Sequence, residues 1–387
     1  MIIFTIIQLI FVIYLGFASL YIFLFGFASL FPARKKKPTS STQRKYAVLI
    51  PGYKEDNVII EVAADALKQN YPKELYDVIV IADSFKEETL SELRKLPIQV
   101  IEVSFDLSTK SKALNKAMAQ LPEGYDVAVV LDADNLMETD FLSKINVAFD
   151  NGFIAVQGHR VAKNYNTKFA ILDAISEEVN NMIFRKGHRT LGLSAALIGS
   201  GMAMDYNYFK NMMKSIKAIG GFDKEIELQM LKEGVRIEFL NDAMVLDEKV
   251  QKADVFSNQR RRWLSAQLHY FSMDFLNSLK HLILYGNVDY FDKAIQFIQP
   301  PRVMLLGLLV VINILSLFLN PITWIYIWLG VLAVCVLAFF FTIPKKFYNF
   351  KTLHAILTLP KAFVLMTLSL LKIKGANKKF IHTEHGT

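Results

Sequence analysis

Short apolar runs alternate with helix-forming segments between residues 46 and 131. Strands are predicted at 46–51, 76–82, 98–103 and 127–131, and helices at 57–70, 86–95 and 111–120. β-Branched runs that alternate with amphipathic helices indicate parallel strands joined by right-handed crossovers. The sequence therefore predicts an α/β fold with a mostly parallel sheet, whose ligands would bind beyond the carboxyl ends of the strands.

Polar side chains follow three of these predicted strands. In chain order they are Pro51, Tyr53 and Glu55 after the first strand, Asp83 after the second, and Asp132 and Asp134 after the fourth. Asp83 is suited either to cap the next helix or to accept a hydrogen bond from a base edge such as a uracil imide. Lys112, on the helix that precedes the fourth strand, would neutralise a diphosphate or simply face solvent.

The two carboxylates of the run VVLDADNL are two residues apart. An extended backbone would point Asp132 and Asp134 the same way, and two such charges repel unless a cation lies between them. Mg²⁺ or Mn²⁺, which also binds substrate phosphates, is the predicted occupant. The alternative is a turn or N-cap before a helix near Glu138.

Long apolar segments flank the predicted α/β unit, and hydrophobic residues make up 53% of the chain. Residues 1–31 contain no charged side chain and are predicted to form a transmembrane helix, followed by a basic cytoplasmic linker at 32–45. Residues 302–342, interrupted by Asn320 and Pro321, are predicted to form two further spans. We expect 264–301 to form interfacial helices, and 343–387 an interfacial or re-entrant segment with a basic tail.

These segments predict an integral membrane protein of the plasma or inner membrane, with a cytoplasmic catalytic domain at 46–263. The net charge of +8 is partly explained by basic clusters near the membrane, which suit anionic lipid head groups. No nucleic acid partner is needed to explain it. The single cysteine, Cys335, excludes a disulfide framework, as expected for a reducing compartment.

Residues 257–267 read SNQRRRWLSAQ and precede the second apolar block. Taken alone, this basic cluster with its tryptophan is typical of a cytoplasmic membrane anchor.

The ordered set of motifs resembles the membrane-embedded processive glycosyltransferases of family 2, which include cellulose, chitin, hyaluronan and poly-N-acetylglucosamine synthases. The resemblance spans about residues 46–263. Its elements are Pro-x-Tyr-x-Glu at 51–55, Asp83, the stretch from Lys110 to Asn115, Asp-x-Asp at 132–134, Gly-Ser-Gly at 199–201, the acidic helix start at 224–228, and Gln-x-x-Arg-Trp at 259–263. It implies a GT-A-like nucleotide-sugar-binding domain.

The resemblance also implies roles for individual residues. Tyr53, Glu55 and Asp83 would contact the nucleoside, Asp132 the ribose or the metal, and Asp134 the metal. Gln259 and Arg262 would hold the leaving diphosphate, while Trp263 and Ser200 would contact the acceptor. Arg260 and Arg261 lie outside the pattern and are expected to face lipid phosphates.

The general base is the point at which the chain departs from the family. The family has Glu-Asp where this chain aligns Lys224 and Glu225, so Glu225 is the predicted base. Glu227 is the competing candidate. Both glutamates could instead be solvated acids that favour the N-terminus of their helix.

The predicted function is inverting, metal-dependent transfer of a sugar from a UDP-sugar to a growing polysaccharide, with formation of a β-linkage. One alternative is transfer of a single sugar to diacylglycerol, ceramide or polyprenyl phosphate, and another is a non-catalytic nucleotide-sensing subunit. About three crossings are few for a polymer pore, so a homodimer, an accessory subunit or a lipid-linked acceptor would each resolve the topology.

Overall fold

A computed structural model of the protein describes residues 2–33, 42–218, 220–251 and 253–371. The basic cluster at 34–37 and the basic tail that begins at Lys372 lie outside these described residues. The predicted domain boundaries therefore stay predictions at both ends.

One eight-stranded mixed sheet forms the centre of the protein, in the order β3-β2-β1-β4-β7-β6-β8-β5. Its strands are β1 Tyr46–Tyr53, β2 Tyr76–Asp83, β3 Gln99–Val103, β4 Val127–Val130, β5 Leu136–Met137, β6 Ala155–Ala162, β7 Met202–Asp205 and β8 Glu238–Asp247. Strand β1 pairs in parallel with β2 and β4, β2 with β3, and β6 with β8, whereas β7 is antiparallel to both neighbours and β5 to β8. The predicted mostly parallel sheet is confirmed.

Helices cover both faces of this sheet. In the catalytic region they are α2 Ile59–Ala66, α3 Glu87–Leu93, α4 Lys110–Gln120, α5 Phe141–Asp150, α6 Lys168–Asn181, α7 His188–Thr190, α8 Tyr206–Met213 and α9 Phe222–Lys232. Helices α2 and α5 pack on one face, and α4, α8 and α9 on the other. This explains why β1 and β4 are continuous buried apolar runs rather than alternating ones.

The remaining helices flank the sheet domain in sequence. They are α1 Ile2–Ala28, α10 Ala253–Tyr285, α11 Val288–Ile298, α12 Arg302–Leu319, α13 Ile322–Thr342, α14 Phe350–Ile356 and α15 Leu359–Leu371. Three of them, α1, α12 and α13, are long and apolar enough to cross a membrane. Helices α14 and α15 meet at a 41° bend, which fits either a fourth, broken span or a re-entrant loop. The interfacial or re-entrant interpretation of this segment therefore stays a prediction.

Helix α1 packs directly against the catalytic domain through a π-helical turn, Met182–Gly187, that follows α6. A Cβ atom at Gly187 would lie only 2.1 Å from the carbonyl oxygen of Phe25, so the two backbones are in contact. The ring of Phe25 stacks on His188 at 3.6 Å, and His188 lies 3.0 Å from the carboxylate of Asp292 on α11. The first apolar helix is thereby fixed to both the sheet domain and the helices that follow it.

Candidate functional site

Three aspartates meet beyond the carboxyl ends of β4 and β8. Oxygen atoms of Asp132, Asp134 and Asp247 all lie within 4.8 Å of one another. Asn135 joins them, since its amide nitrogen lies 3.0 Å from both Asp134 and Asp247. Carboxylate oxygens are the ligands that Mg²⁺ and Mn²⁺ prefer, so this cluster could hold a divalent cation.

Asp247 is the member of the cluster that the sequence interpretation missed. It ends β8, more than one hundred residues after Asp134, and pairing of β8 with β6 brings it to the same edge of the sheet. The sequence did contain a signal, because the run AMVLDEK places an acid directly after an apolar strand, as at Asp83 and Asp132.

Ser200 is fully buried and contacts the turn that carries Asp132 and Asp134. Its hydroxyl accepts a hydrogen bond from the backbone nitrogen of Asp132 at 2.8 Å and donates one to the side chain of Asn135. This position differs from the predicted one in the acceptor pocket. With both hydrogen-bonding directions already used inside the fold, Ser200 orients the acidic turn.

Buried cations balance the acidic cluster. A guanidinium nitrogen of Arg160 lies 3.8 Å from Asp132 and 3.7 Å from Asp247, and another lies 2.9 Å from Glu177. The ammonium group of Lys249 lies 2.6 Å from Asp247. Burial alone would raise the pKa of Asp247, but Arg160 and Lys249 lower it below its ordinary value. Asp247 is therefore ionised at neutral pH, as a metal ligand must be.

Lys110, rather than the predicted Lys112, reaches the site from α4. The ammonium group of Lys110 forms an ion pair with Asp132 and donates to the carbonyl oxygen of Gly199 at 2.7 Å. The side chain of Lys112 is exposed and donates to the carbonyl oxygen of Leu107 at 2.8 Å. Two residues correspond to a rotation of about 200° around α4, so the two side chains point in nearly opposite directions. The phosphate role of Lys112 stays a prediction.

The ends of β1 and β2 form a second polar region beside the acidic cluster. Tyr53 and Asp83 are register partners on these neighbouring strands. The next residues, Lys54 and Ser84, have φ angles of 55° and 59°, a region that side-chain-bearing residues seldom adopt. Such conformations often occur at ligand sites. Pro51 lies within β1, near its carboxyl end, and Glu55 follows the strand by two residues.

The Gln-x-x-Arg-Trp motif lies on α10. Gln259, Arg262 and Trp263 line the same cavity as Asp132 and Lys110. Burial lowers the pKa of Arg262 below its ordinary value. This helix and the acidic turn therefore face one space.

Arg260 is buried inside the protein, contrary to the expectation that it faces lipid phosphates. It forms an ion pair with Asp173, and its guanidinium carbon lies 4.3 Å from the centre of the Trp263 ring. A cation held over one ring face stabilises the indole orientation. Arg260 thus fixes the orientation of the Trp263 side chain.

The acidic helix start of α9 presents Asp223 to this cavity. Asp223 and Lys224 are among its lining residues in the described part of the chain, whereas Glu225 is not. A Cβ atom at Gly199 would lie 3.5 Å from Cβ of Asp223, which places this aspartate beside the carbonyl that Lys110 contacts. The predicted base, Glu225, lies two residues further along α9, on a different side of the helix.

Glu227, the competing candidate, is buried and lies 2.8 Å from the ammonium group of Lys293. Burial raises the pKa of Glu227 above its ordinary value, and Lys293 offsets part of that shift. This ion pair joins α9 to α11. A general base must contact the acceptor hydroxyl, whereas the carboxylate of Glu227 contacts Lys293, so Glu227 stabilises the packing of the two helices.

The cavity has a volume of about 730 Å³ and changes character along its length. Its polar lining includes Lys110, Asp132 and Asp223 of the sheet domain, and α10 contributes Arg262 and Trp263. Its apolar part lies among the membrane-type helices and is lined by Leu306, Val336, Phe339, Ile356 and Met366. A single space therefore connects the acidic sheet edge with apolar helices.

Comparison with known proteins identifies the family. Residues 43–266, more than half of the chain, match the sequence model of the family described as "Glycosyltransferase like family 2". The chain belongs to glycosyltransferase family 2. The predicted enzyme class is confirmed.

Curated relatives of this family 2 glycosyltransferase include a beta-monoglucosyldiacylglycerol synthase of Trichormus variabilis, 25% identical over 60% of this chain and 51% of the relative. Another is the probable glycosyltransferase YdaM of Bacillus subtilis, 24% identical over 57% of this chain and 54% of the relative. The chain spans about half the length of these relatives. Neither bears the name of a processive polysaccharide synthase, so the processive part of the predicted resemblance is not supported.

The fold is shared with a solved structure, the mannosyltransferase PcManGT from Pyrobaculum calidifontis in complex with GDP-Man and Mn²⁺. The likeness covers 85% of this chain and 97% of that protein, with a TM-score of 0.56 and 17% sequence identity. The predicted GT-A-like fold is thereby confirmed.

Proposed function

We propose that this glycosyltransferase moves a single sugar from a nucleotide diphospho-sugar, most simply a UDP-sugar, to a membrane lipid. The observation that carries the proposal is the continuous cavity between the pair Lys110–Asp132 and the apolar side chains of Val336 and Phe339. A polar donor and an apolar acceptor can enter such a space from opposite ends. The sequence alone favours transfer to a polysaccharide and offers transfer to a lipid as the alternative.

The donor would bind over the strand ends. Tyr53, Glu55 and Asp83 lie where a nucleoside would extend from the diphosphate, and Asp83 can accept from a uracil imide. Lys110, Gln259 and Arg262 would contact the diphosphate oxygens, which suit ammonium and guanidinium donors. These donors oppose the charge that builds up as the diphosphate leaves.

The acceptor would be activated by Asp223. Its carboxylate takes the proton from an acceptor hydroxyl, the oxygen forms a bond to the anomeric carbon, and the bond from that carbon to the diphosphate breaks. Attack from the face opposite the leaving group inverts the configuration. We favour Asp223 over Glu225 because Asp223 lines the cavity.

Asp132, Asp134 and Asp247 fit a divalent cation, since their oxygens converge within 4.8 Å. When bound, Mg²⁺ or Mn²⁺ would supply positive charge to the diphosphate. Arg160 and Lys249 hold these carboxylates in place, and Ser200 fixes the turn that carries two of them.

The names of curated relatives support a lipid acceptor, since one such protein is called a beta-monoglucosyldiacylglycerol synthase. A growing polysaccharide is the second candidate, favoured by Trp263, whose ring lines the cavity and could stack on a sugar. A lipid acceptor explains the apolar end of the cavity, which a polysaccharide does not.

Incubation of the purified protein in lipid nanodiscs with labelled UDP-sugars and Mn²⁺ tests the proposal. We expect a labelled product that extracts into organic solvent, with the mobility of a lipid carrying one sugar. A water-soluble polymer sensitive to glycosidases would favour the polysaccharide reading. UDP-sugar binding without any labelled product would instead support a nucleotide-sensing subunit.

A further inference from the structure

The segment Gln299-Pro300-Pro301-Arg302 joins α11 to α12 and lines the cavity. Gln299 is only 7% exposed, yet neither atom of its side-chain amide has a hydrogen-bond partner among the described residues. Its backbone is fixed instead, because Gln267 donates to the carbonyl oxygen of Gln299 at 2.8 Å. A buried amide without partners costs free energy, which indicates that a polar ligand completes it.

Arg302 is the first residue of α12 and presents a second set of donors. Its described hydrogen bonds go to neutral atoms of α6, namely Oδ1 of Asn180 and, at 3.3 Å, Oγ of Ser176. Its position at the N-terminus of an 18-residue helix adds positive potential from the backbone.

Several other cations that line the cavity have acidic partners. The ion pairs are Lys110 with Asp132, Arg160 with Glu177, Arg260 with Asp173 and Lys293 with Glu227. Arg302 has no acidic partner within ion-pair distance in the part of the chain that the structure describes. Its charge is therefore available to a bound anion.

The surroundings of this segment change from polar to apolar. Leu306, one turn further along α12, and Val336 and Phe339 of α13 line the cavity beside it. Arg262 and Trp263 line it toward the acidic sheet edge. Gln299 and Arg302 thus stand where the headgroup of a lipid would lie if its chains rested against α12 and α13.

We propose that the acceptor is a glycerophospholipid whose head group carries both a phosphate and a free hydroxyl, and that Gln299 and Arg302 bind this phosphate. The guanidinium would pair with phosphate oxygens, and the amide nitrogen of Gln299 would donate to another. This inference rests on the proposed lipid glycosylation and adds the acceptor class. The bonds made and broken are those given above, so the anion at Arg302 selects the acceptor and takes no part in proton transfer.

Glycosylation assays in detergent micelles free of other phospholipids test this, because a phosphatidylcholine matrix would itself offer phosphates to Arg302. Separate reactions contain diacylglycerol, phosphatidylglycerol or a polyprenyl phosphate, and kcat/KM is measured with the active UDP-sugar. We expect phosphatidylglycerol to be preferred over diacylglycerol, and Arg302→Gln to lower its kcat/KM by about 10- to 100-fold while sparing diacylglycerol. A polyprenyl phosphate has no hydroxyl, so its preferential glycosylation would make a phosphate oxygen the nucleophile and would overturn the inference.

Further variants separate binding from folding. Gln299→Ala should raise the KM for the same acceptor, and Arg302→Lys should retain an intermediate kcat/KM. Arg236→Gln, an exposed arginine bonded to Asp289, is the control and should match the parent enzyme. Equal use of diacylglycerol, or an equal loss on every acceptor in Arg302→Gln, would overturn the inference and leave lipid glycosylation intact. Absence of any glycosylated lipid would instead overturn the proposed function itself.

Discussion

The ammonium group of Lys110 forms an ion pair with Asp132, the first carboxylate of the Asp-Ala-Asp turn. Lys110 begins α4 and Asp132 follows β4, so pairing of β4 with β1 brings the two elements to one edge of the sheet. A donor diphosphate that enters the cavity would meet this pair. The lysine can exchange its carboxylate partner for phosphate oxygens without leaving the site.

Replacement of Lys110 tests that exchange. We expect Lys110→Gln to raise the KM for the nucleotide-sugar by at least about tenfold, because one charged hydrogen bond to phosphate is lost. Lys112→Gln, two residues along the same helix, is the matched control and should change KM little, since Lys112 is exposed. Steady-state kinetics of both variants decide between the two lysines. The reverse order of effects would restore the sequence-based assignment.

Asp223 and Glu225 provide a second matched pair on one helix. Asp223→Asn should lower kcat by about 10²- to 10⁴-fold, because no other lining carboxylate lies on α9 among the described residues. Binding of UDP should survive, since the carboxylate is not proposed to contact the nucleotide. Glu225→Gln should retain kcat within a fewfold. Normal turnover in the Asp223 variant would eliminate it as the base.

Asp247 is expected to contribute to cation affinity. Asp247→Asn removes one of three converging carboxylates, so the Mn²⁺ concentration for half-maximal activity should rise by about tenfold or more. Asp242→Asn, exposed on the same strand, is the control. Metal titration of activity, with thermal unfolding measured in parallel, separates lost affinity from lost stability. An unchanged Mn²⁺ requirement would remove Asp247 from the metal site.

Sequence patterns predicted four of the eight strands, β1 to β4, because these are short apolar runs with clear ends. The predicted strand at 127–131 and the observed β4 differ by one residue. Asp132 was predictable for the same reason, since an acid that follows a buried strand stands out.

Contacts between distant segments were not predictable from local patterns. Asp247 lies beside Asp134 because β8 pairs with β5, which follows the acidic turn, and with β6, and both pairings join segments that are distant in the chain. Asp223, rather than Glu225, faces the cavity because the helical rotation of α9 is set by Phe222 and Ile226, which pack in the core. Motif alignment led to α9, and the geometry of the cavity is the reason for proposing Asp223 in place of Glu225.

Glu178 should make folding stability depend on acid pH. Its buried carboxylate lies 2.9 Å from Nε2 of His159 and 2.7 Å from the ammonium group of Lys346. Burial would raise the pKa of Glu178, but His159 and Lys346 lower it below its ordinary value. The unfolded state then binds the proton more tightly, so this stabilisation is present above the unfolded pKa of about 4.3 and is lost as pH falls through the lower folded pKa.

Thermal unfolding in detergent from pH 7 down to the lowest pH at which the protein stays soluble measures this dependence. Glu178→Gln should have a lower melting temperature at pH 7 and a flatter decline on acidification than the parent. Exposed Glu92→Gln serves as the control, because its pair with Lys95 is on the surface. Parallel pH profiles of the melting temperature for Glu178→Gln and the parent would show that Glu178 does not cause the loss of stability at acid pH.

The contact between Gly187 and α1 predicts how tightly this apolar helix is attached to the catalytic domain. In Gly187→Ala the new methyl group would begin 2.1 Å from the carbonyl oxygen of Phe25, so one backbone must move away. We expect a loss of about 1–3 kcal/mol in stability and increased proteolysis between α1 and β1. Gly330→Ala in α13 has open space around its Cβ position and should be neutral or slightly stabilising. If both alanine variants unfold at the parent temperature, α1 is not held to the catalytic domain through this contact.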